Sequence, residues 1–200
     1  IVFAIDTSGS MDEEIDEVEL AVPALATQLA SAGIDTKFAL VDMDDNDDAA
    51  TGCDDAGPFA ESNYVDLDFT DDITDFTAAI DAMEALGSNV NPAAAIVDVA
   101  ANTFTTVDSS NDACDHPVAA LSFRPTAKKF LVVVTDTGEE NTGREEVLNN
   151  AQDAVIAANM PTFVISSSYW ECANDNDPPN DTGEPKCVDY YDAMAEATGG

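Results

Sequence analysis

The chain is short of cations, has a single histidine and lacks any long apolar run, and each shortage removes a class of function. Of its 200 residues only 6 are Lys or Arg, against 41 Asp or Glu, for a formal net charge of −35. A nucleic-acid binder needs a basic patch that displaces counterions from phosphates, and this composition cannot build one. An anionic membrane surface repels the chain for the same reason. The longest apolar runs, such as Phe130–Val134, fall far short of the about 20 residues that cross a bilayer, so direct membrane insertion is not expected either. His116 is the only histidine, and its neighbour Cys114 lies with it in a polar stretch, so no nucleophile–base–acid triad can be assembled and no enzymatic activity is expected. There is no Cys-x-x-Cys pair, which argues against a zinc knuckle or a thioredoxin-type site. No glycine-rich loop carries the lysine that holds a phosphate, and no internal repeat is visible.

What is present is a foldable pattern. The chain is 45% hydrophobic, and its Val, Ile, Leu and Phe residues come in periodic blocks, which excludes a disordered chain. Its length fits one domain with insertions, read over 1–200. Self-repulsion at this charge destabilises a compact state at low ionic strength, so the composition implies a salty environment, bound cations, or both, and is similar to that of salt-adapted proteins. Four cysteines, Cys53, Cys114, Cys172 and Cys187, each sit in polar sequence and read as two disulfides in an oxidising compartment. Three pairings are open; Cys172–Cys187 with Cys53–Cys114 is favoured, the first closing a loop of about 15 residues worth about 3 kcal/mol in the chain-entropy model. The chain opens on the strand-like Ile1–Ile5 without Met or signal peptide and reads as a fragment of a larger protein.

Strand-like runs alternate with helix-period stretches, the pattern of an α/β fold with a mainly parallel sheet. The spacing of Ile15, Val18, Val22, Leu25 and Leu29 predicts a helix, kinked or split at Pro23 and ended by Gly33. Lys37–Val41 is the second strand, followed by an Asp-rich insertion at about 42–63. Tyr64–Phe69 alternates with period two and reads as an edge strand. Thr70 or Asp71 is placed to cap a helix with Ile73, Phe76, Ile80 and Met83 on one face. Asn91 and Pro92 open the next helix, with Ile96, Val97, Ala100 and Phe104 inward. A second polar insertion spans about 105–124. Phe130–Thr135 is the most apolar strand, Thr142–Glu145 has the spacing of a capping box, and Thr162–Ile165 is a strand. The 172–187 loop and a helix over about 188–197 close the chain.

The first strand runs into Asp6-Thr7-Ser8-Gly9-Ser10 and then a helix, while the most apolar strand ends in Thr135-Asp136. In an open α/β sheet, ligands bind outside the carboxyl ends of the strands. Hard oxygens gathered there suit Mg²⁺ or Ca²⁺ rather than a soft transition metal. The plainer alternative for Asp6, Ser8 and Ser10 is a turn with a helix cap, and for Asp136 an exposed loop acid. Asp44, Asn46, Asp48 and Asp55, and again Asp175, Asp177 and Asp181, are acidic loops in which additional Ca²⁺ is the alternative to simple solvation; Ala49 stands where a Ca²⁺ loop of the EF-hand type needs glycine. Asn180-Asp181-Thr182 is a glycosylation sequon.

Ile5–Met11 resembles the Asp-x-Ser-x-Ser signature of von Willebrand factor type A (vWA) domains. Phe130–Asp136 is similar to that family's fourth core strand with its metal-site aspartate, and Ala193–Gly200 to its last helix and the Gly-Gly before its closing strand. The resemblance implies a three-layer, Rossmann-like α/β fold, with a mostly parallel sheet, one antiparallel edge strand and helices on both faces. It also implies a metal-ion-dependent adhesion site (MIDAS) holding Mg²⁺, or Ca²⁺ or Mn²⁺. Ser8 and Ser10 would be direct ligands, Asp6 and Asp136 would act largely through water, and a partner's carboxylate would complete the shell. One loop departs from the pattern: where the family has Gly-Gly-Thr, this chain has Gly87-Ser88-Asn89-Val90-Asn91-Pro92. The threonine position falls near Val90, which cannot coordinate, leaving Asn89 or Asn91 as amide-oxygen substitutes. The function implied is an extracellular or cell-surface adhesion module that captures an acidic group of a protein or other ligand. A cation-stabilised structural module of a surface layer or filament is the main alternative, and a metallohydrolase a lesser one.

Overall fold

Every residue of the first strand, Val2–Asp6, is buried, which requires neighbours on both sides and cover on both faces. The computed structural model supplies both. It describes residues 1–43, 63–83, 85, 90, 92–104, 118–136, 144–166 and 187–200, with the side chains of 144–147 and 187–189 outside that description. In chain order the elements are β1 (Val2–Asp6), α1 (Asp12–Ser31), β2 (Phe38–Met43), β3 (Tyr64–Thr70), α2 (Ile73–Asp81), α3 (Pro92–Ala101), β4 (Leu131–Thr135), α4 (Arg144–Ala157), β5 (Thr162–Ser166) and α5 (Cys187–Thr198). The described strands form one sheet in the order β3-β2-β1-β4-β5. β1 pairs parallel with β2 and β4, β4 parallel with β5, and β3 antiparallel with β2. This is the α/β architecture the sequence pattern predicts, with its antiparallel strand at one edge.

The pleat sends alternate residues into two separate cores. Val2 and Ala4 face Ala39, Val41, Val133 and the helices α3, α4 and α5. Phe3 and Ile5 face Leu40, Val134 and the buried stripes of α1 and α2. On that second face Phe3, Phe38 and Phe76 form a tilted aromatic trio with centroids 5.4 to 6.4 Å apart, a favoured geometry for aromatic contact.

Several local expectations are corrected. Pro23 does not split α1, which runs unbroken for 20 residues with Ile15, Val18 and Val22 buried. Proline removes one ladder bond, and the helix is held in one core on both sides of it, by Val18 and Val22 before and by Ala26 and Leu29 after. Its end follows the expectation: Gly33 has φ +74°, its N–H donates to Ala30 O, and Ile34 N–H donates to Leu29 O at 3.0 Å, the paired bonds of a Schellman cap. The cap of α2 is Asp72, which accepts from Thr74 N–H at 2.9 Å, rather than Thr70 or Asp71. On α3 the fully buried face is Ala93, Ala95, Ile96 and Val99, with Val97 and Ala100 half-buried. β2 continues through Asp42 and Met43, so those two residues belong to the sheet rather than to the insertion. Cys53, Cys114, Cys172 and the acidic loops lie outside the described residues, as does the Cys187 side chain.

The end of the second insertion is a packed strap. Asn102, itself at φ +57°, accepts from Leu121 N–H at 2.7 Å and donates to Leu121 O at 3.0 Å. Ser122 N–H donates to Asp68 at 2.8 Å, Phe123 packs on Phe69 with centroids 4.9 Å apart, and Lys129 lies 4.2 Å over the Phe123 ring. Asn102→Ala leaves the backbone of buried Leu121 without both partners, so a loss of about 2 kcal/mol in urea denaturation is expected. Asn102→Gly, which relieves the backbone but also removes the amide, should recover only part of it.

Candidate metal site at the carboxyl edge of the sheet

Because β1, β2 and β4 run parallel, their carboxyl ends bring Asp6, Asp42 and Thr135-Asp136 to one edge of the sheet. Asp6 is completely buried. Its Oδ1 accepts from Ser8 N–H at 2.8 Å, an aspartate turn that reverses the chain out of the strand. Its Oδ2 accepts from the Thr135 hydroxyl at 2.6 Å, linking the ends of β1 and β4. The Ser8 and Ser10 hydroxyl oxygens stand 3.4 Å apart, with Ser8 buried and Ser10 exposed. Met11 is fully buried in the α1–α2 core, and its N–H donates to Ser8 O at 2.9 Å, which pins the loop against the sheet.

Of the plainer alternative for this stretch, the turn is present at Asp6–Ser8 and the helix cap falls elsewhere. The residue capping α1 is Met11, with no side-chain cap hydrogen bond, so neither serine hydroxyl is spent on the helix. Asp12, Glu13 and Glu14 in the first turn instead meet the positive end of the helix dipole.

Electrostatics at this edge are strained in the sense that a cation relieves. Burial pushes the Asp6 carboxyl above its usual range; hydrogen bonds from Ser8 and Thr135 offset part of that, and the nearby Asp136 charge adds to it. Asp136, at the end of β4, is itself buried. Two buried carboxylates in one neighbourhood favour either a proton or a bound cation.

The donor set fits a hard divalent ion. Adjacent oxygens on an octahedral Mg²⁺ at 2.0–2.1 Å stand about 3 Å apart, close to the 3.4 Å between the two serine hydroxyls. No group of three or more His, Cys, Asp or Glu side chains converges among the described residues, so the edge offers a mixed hydroxyl–carboxylate set rather than a carboxylate cage. Of the predicted residues, Asp6, Ser8 and Ser10 are brought together, and Asp136 lies on the neighbouring strand end. Asn89 and Asn91 lie outside the described residues. Val90, the position nearest the family's threonine, is buried in the core with α3. Sequence reasoning missed Thr135 as the Asp6 partner, and Thr7, whose hydroxyl donates to Asp42 at 2.6 Å. The available signal was a lone aspartate near the carboxyl end of an otherwise apolar strand.

Fold and edge together define an open α/β domain with a hydroxyl-bearing acidic rim. The chain belongs to the von Willebrand factor type A domain family, whose sequence profile matches residues 1–178, a family of protein-interaction modules. The fold is shared with solved structures at low identity. BatB, a conserved hypothetical protein of Bacteroides thetaiotaomicron, superposes with TM-score 0.56 at 14% identity, over 100% of this chain and 86% of that one. An aerotolerance-related membrane protein of Bacteroides fragilis gives 0.55 at 15%, over 100% and 87%. The VWA domain of SpRpn10 gives 0.57 at 15%, over 97% and 80%. No curated protein matches the sequence. Among the described residues, no helix is long and apolar enough to cross a membrane.

The raised Asp6 carboxyl gives a signed pH prediction. The folded state holds this proton more tightly than the unfolded chain, so ionised Asp6 lowers stability at neutral pH, and the deficit shrinks as pH falls through the raised value toward the ordinary one of about 4. In Asp6→Asn the amide can still accept from Ser8 and exchange a hydrogen bond with Thr135. In chelator and high NaCl this variant should be more stable than wild type to urea at neutral pH, with the difference closing on acidification. A wild type that is the more stable at neutral pH would contradict the assignment.

Proposed function

We propose that the domain is an extracellular or cell-surface adhesion module that holds a divalent cation, Mg²⁺ before Ca²⁺ or Mn²⁺, at the Asp6–Ser10 edge and uses it to capture a partner's carboxylate. The observation that carries this reading is the gathering of the Ser8 and Ser10 hydroxyls, 3.4 Å apart, beside a buried Asp6 carboxylate clamped by Ser8 N–H and Thr135. Ser8 and Ser10 would be direct ligands, with Asp6 and Asp136 supplying negative charge behind them. A bound Mg²⁺ supplies Lewis acidity toward an external oxygen. Neutral hydroxyls as the direct protein ligands neutralise little of that charge, so an anionic ligand from outside is attracted. Thr135 and Ser8 N–H orient Asp6 and offset part of the burial that opposes its ionisation, and Met11 holds the loop against the core. The role is binding rather than turnover. The acidic composition and the four cysteines support placement outside the cell, where the ion is plentiful and disulfides persist.

A second reading has one observation in its favour. Val90 is packed in the core where the family's third-loop hydroxyl is expected, and a site with one fewer ligand suits a cation that stabilises a surface-layer or filament module without capturing a partner.

Calorimetric titration of Mg²⁺, then Ca²⁺, into chelator-treated protein in high NaCl tests the proposal, since salt suppresses loose counterion binding by surface acids. One saturable site is expected, weakened by about 10-fold or more in Ser8→Ala and lost in Asp6→Ala with the fold retained. A site indifferent to both substitutions would contradict it. Saturable binding without recruitment of any carboxylate-bearing ligand to the loaded protein would favour the structural module.

A further inference from the structure

Thr7 is the one hydroxyl-bearing residue of the Asp6–Ser10 stretch to which the cation reading gives no role, yet it is almost wholly buried. Its hydroxyl donates to Asp42 Oδ1 at 2.6 Å, the short distance of a hydrogen bond to a charged acceptor. Asp42 lies in β2, opposite Ile5 in the parallel register, and is half-buried. The loop after β1 is therefore tied on two sides. Asp6 joins it to β4 through Thr135, and Thr7 joins it to β2 through Asp42. The second tie fastens the loop to β2 at the residue immediately before Ser8.

We propose that Asp42 is a positioning residue for the candidate cation site, acting through Thr7. The inference rests on the cation reading above. Asp42 reaches the loop through the Thr7 hydroxyl, and among the described residues it does not join Asp6 and Asp136 in a convergent group of three carboxylates. Groups that orient metal ligands in this way typically matter by about 10- to 100-fold in affinity. The role also explains why an aspartate is present on a sheet strand that is otherwise apolar from Phe38 to Met43.

The test uses two readouts on the intact domain: Mg²⁺ affinity by calorimetry in high NaCl, and hydrogen exchange of the amides over 7–11 in chelator. Thr7→Val and Asp42→Ala should each weaken Mg²⁺ binding about 10-fold or more, and the double variant should be no worse than either alone, since both remove one interaction. Thr7→Ser, which keeps the donor, and Asp42→Asn, which keeps an acceptor, should bind close to wild type. Exchange over 7–11 should accelerate in Thr7→Val and Asp42→Ala but not in Asp42→Asn. Binding unchanged in Thr7→Val overturns this inference alone, as does an Asp42→Asn as damaged as Asp42→Ala beside a harmless Thr7→Val, because charge rather than position would then be acting. A wild type with no saturable site overturns the cation reading and this inference together. Should Asp42→Ala not fold, the comparison of Thr7→Val with Thr7→Ser decides.

Discussion

The structure turns on one buried carboxylate. Asp6 ends a strand with no exposed residue and is itself fully covered, a placement that opposes ionisation and that proteins sustain only with specific partners. Ser8 N–H and the Thr135 hydroxyl are those partners, one on each oxygen. They do more than compensate burial. The first turns the chain back so that two serine hydroxyls face the rim, and the second couples that turn to β4, whose end carries Asp136. Removing Asp6 would undo the turn, the strand link and the charge at once.

The fold makes this arrangement possible through the direction of its strands. Parallel pairing of β1 with both β2 and β4 aligns three carboxyl ends, so residues 6, 42 and 136 share one rim despite their separation in sequence. The two hydrophobic cores keep that rim rigid. Met11 belongs to one of them and lies one residue after the last serine, so the loop is fixed to the sheet at its start and to the helical layer at its end.

Most of the fold was legible in the sequence, because periodicity reports burial. Fully apolar runs became central strands, the alternating Tyr64–Phe69 became the antiparallel edge, and Gly33 ended its helix as its backbone freedom allows. Pro23 does not split its helix because a penalty of a few kcal/mol at one residue is outweighed by packing on both sides of it, Val18 and Val22 before and Ala26 and Leu29 after. The α2 cap shifted to Asp72 because Thr70 remains in the strand, its hydroxyl accepting from Asp72 N–H. Asp6, Ser8, Ser10 and Asp136 were readable from a short motif and a strand end. Thr135 and Asp42 were not, since their roles depend on which strands are neighbours, a fact of topology that local spacing does not carry. Asp42 was further masked by the acidic insertion that begins just after its strand.

An overall charge of −35 attracts cations without ordering them, so specific occupancy has to come from geometry. The most direct measurement is anomalous diffraction from crystals of the domain grown in high NaCl with Mn²⁺. The account predicts one dominant peak within about 2.0–2.3 Å of the Ser8 and Ser10 hydroxyl oxygens, with Asp6 behind them. Peaks scattered along the acidic face of α1, with none at the carboxyl ends of β1 and β4, would contradict it.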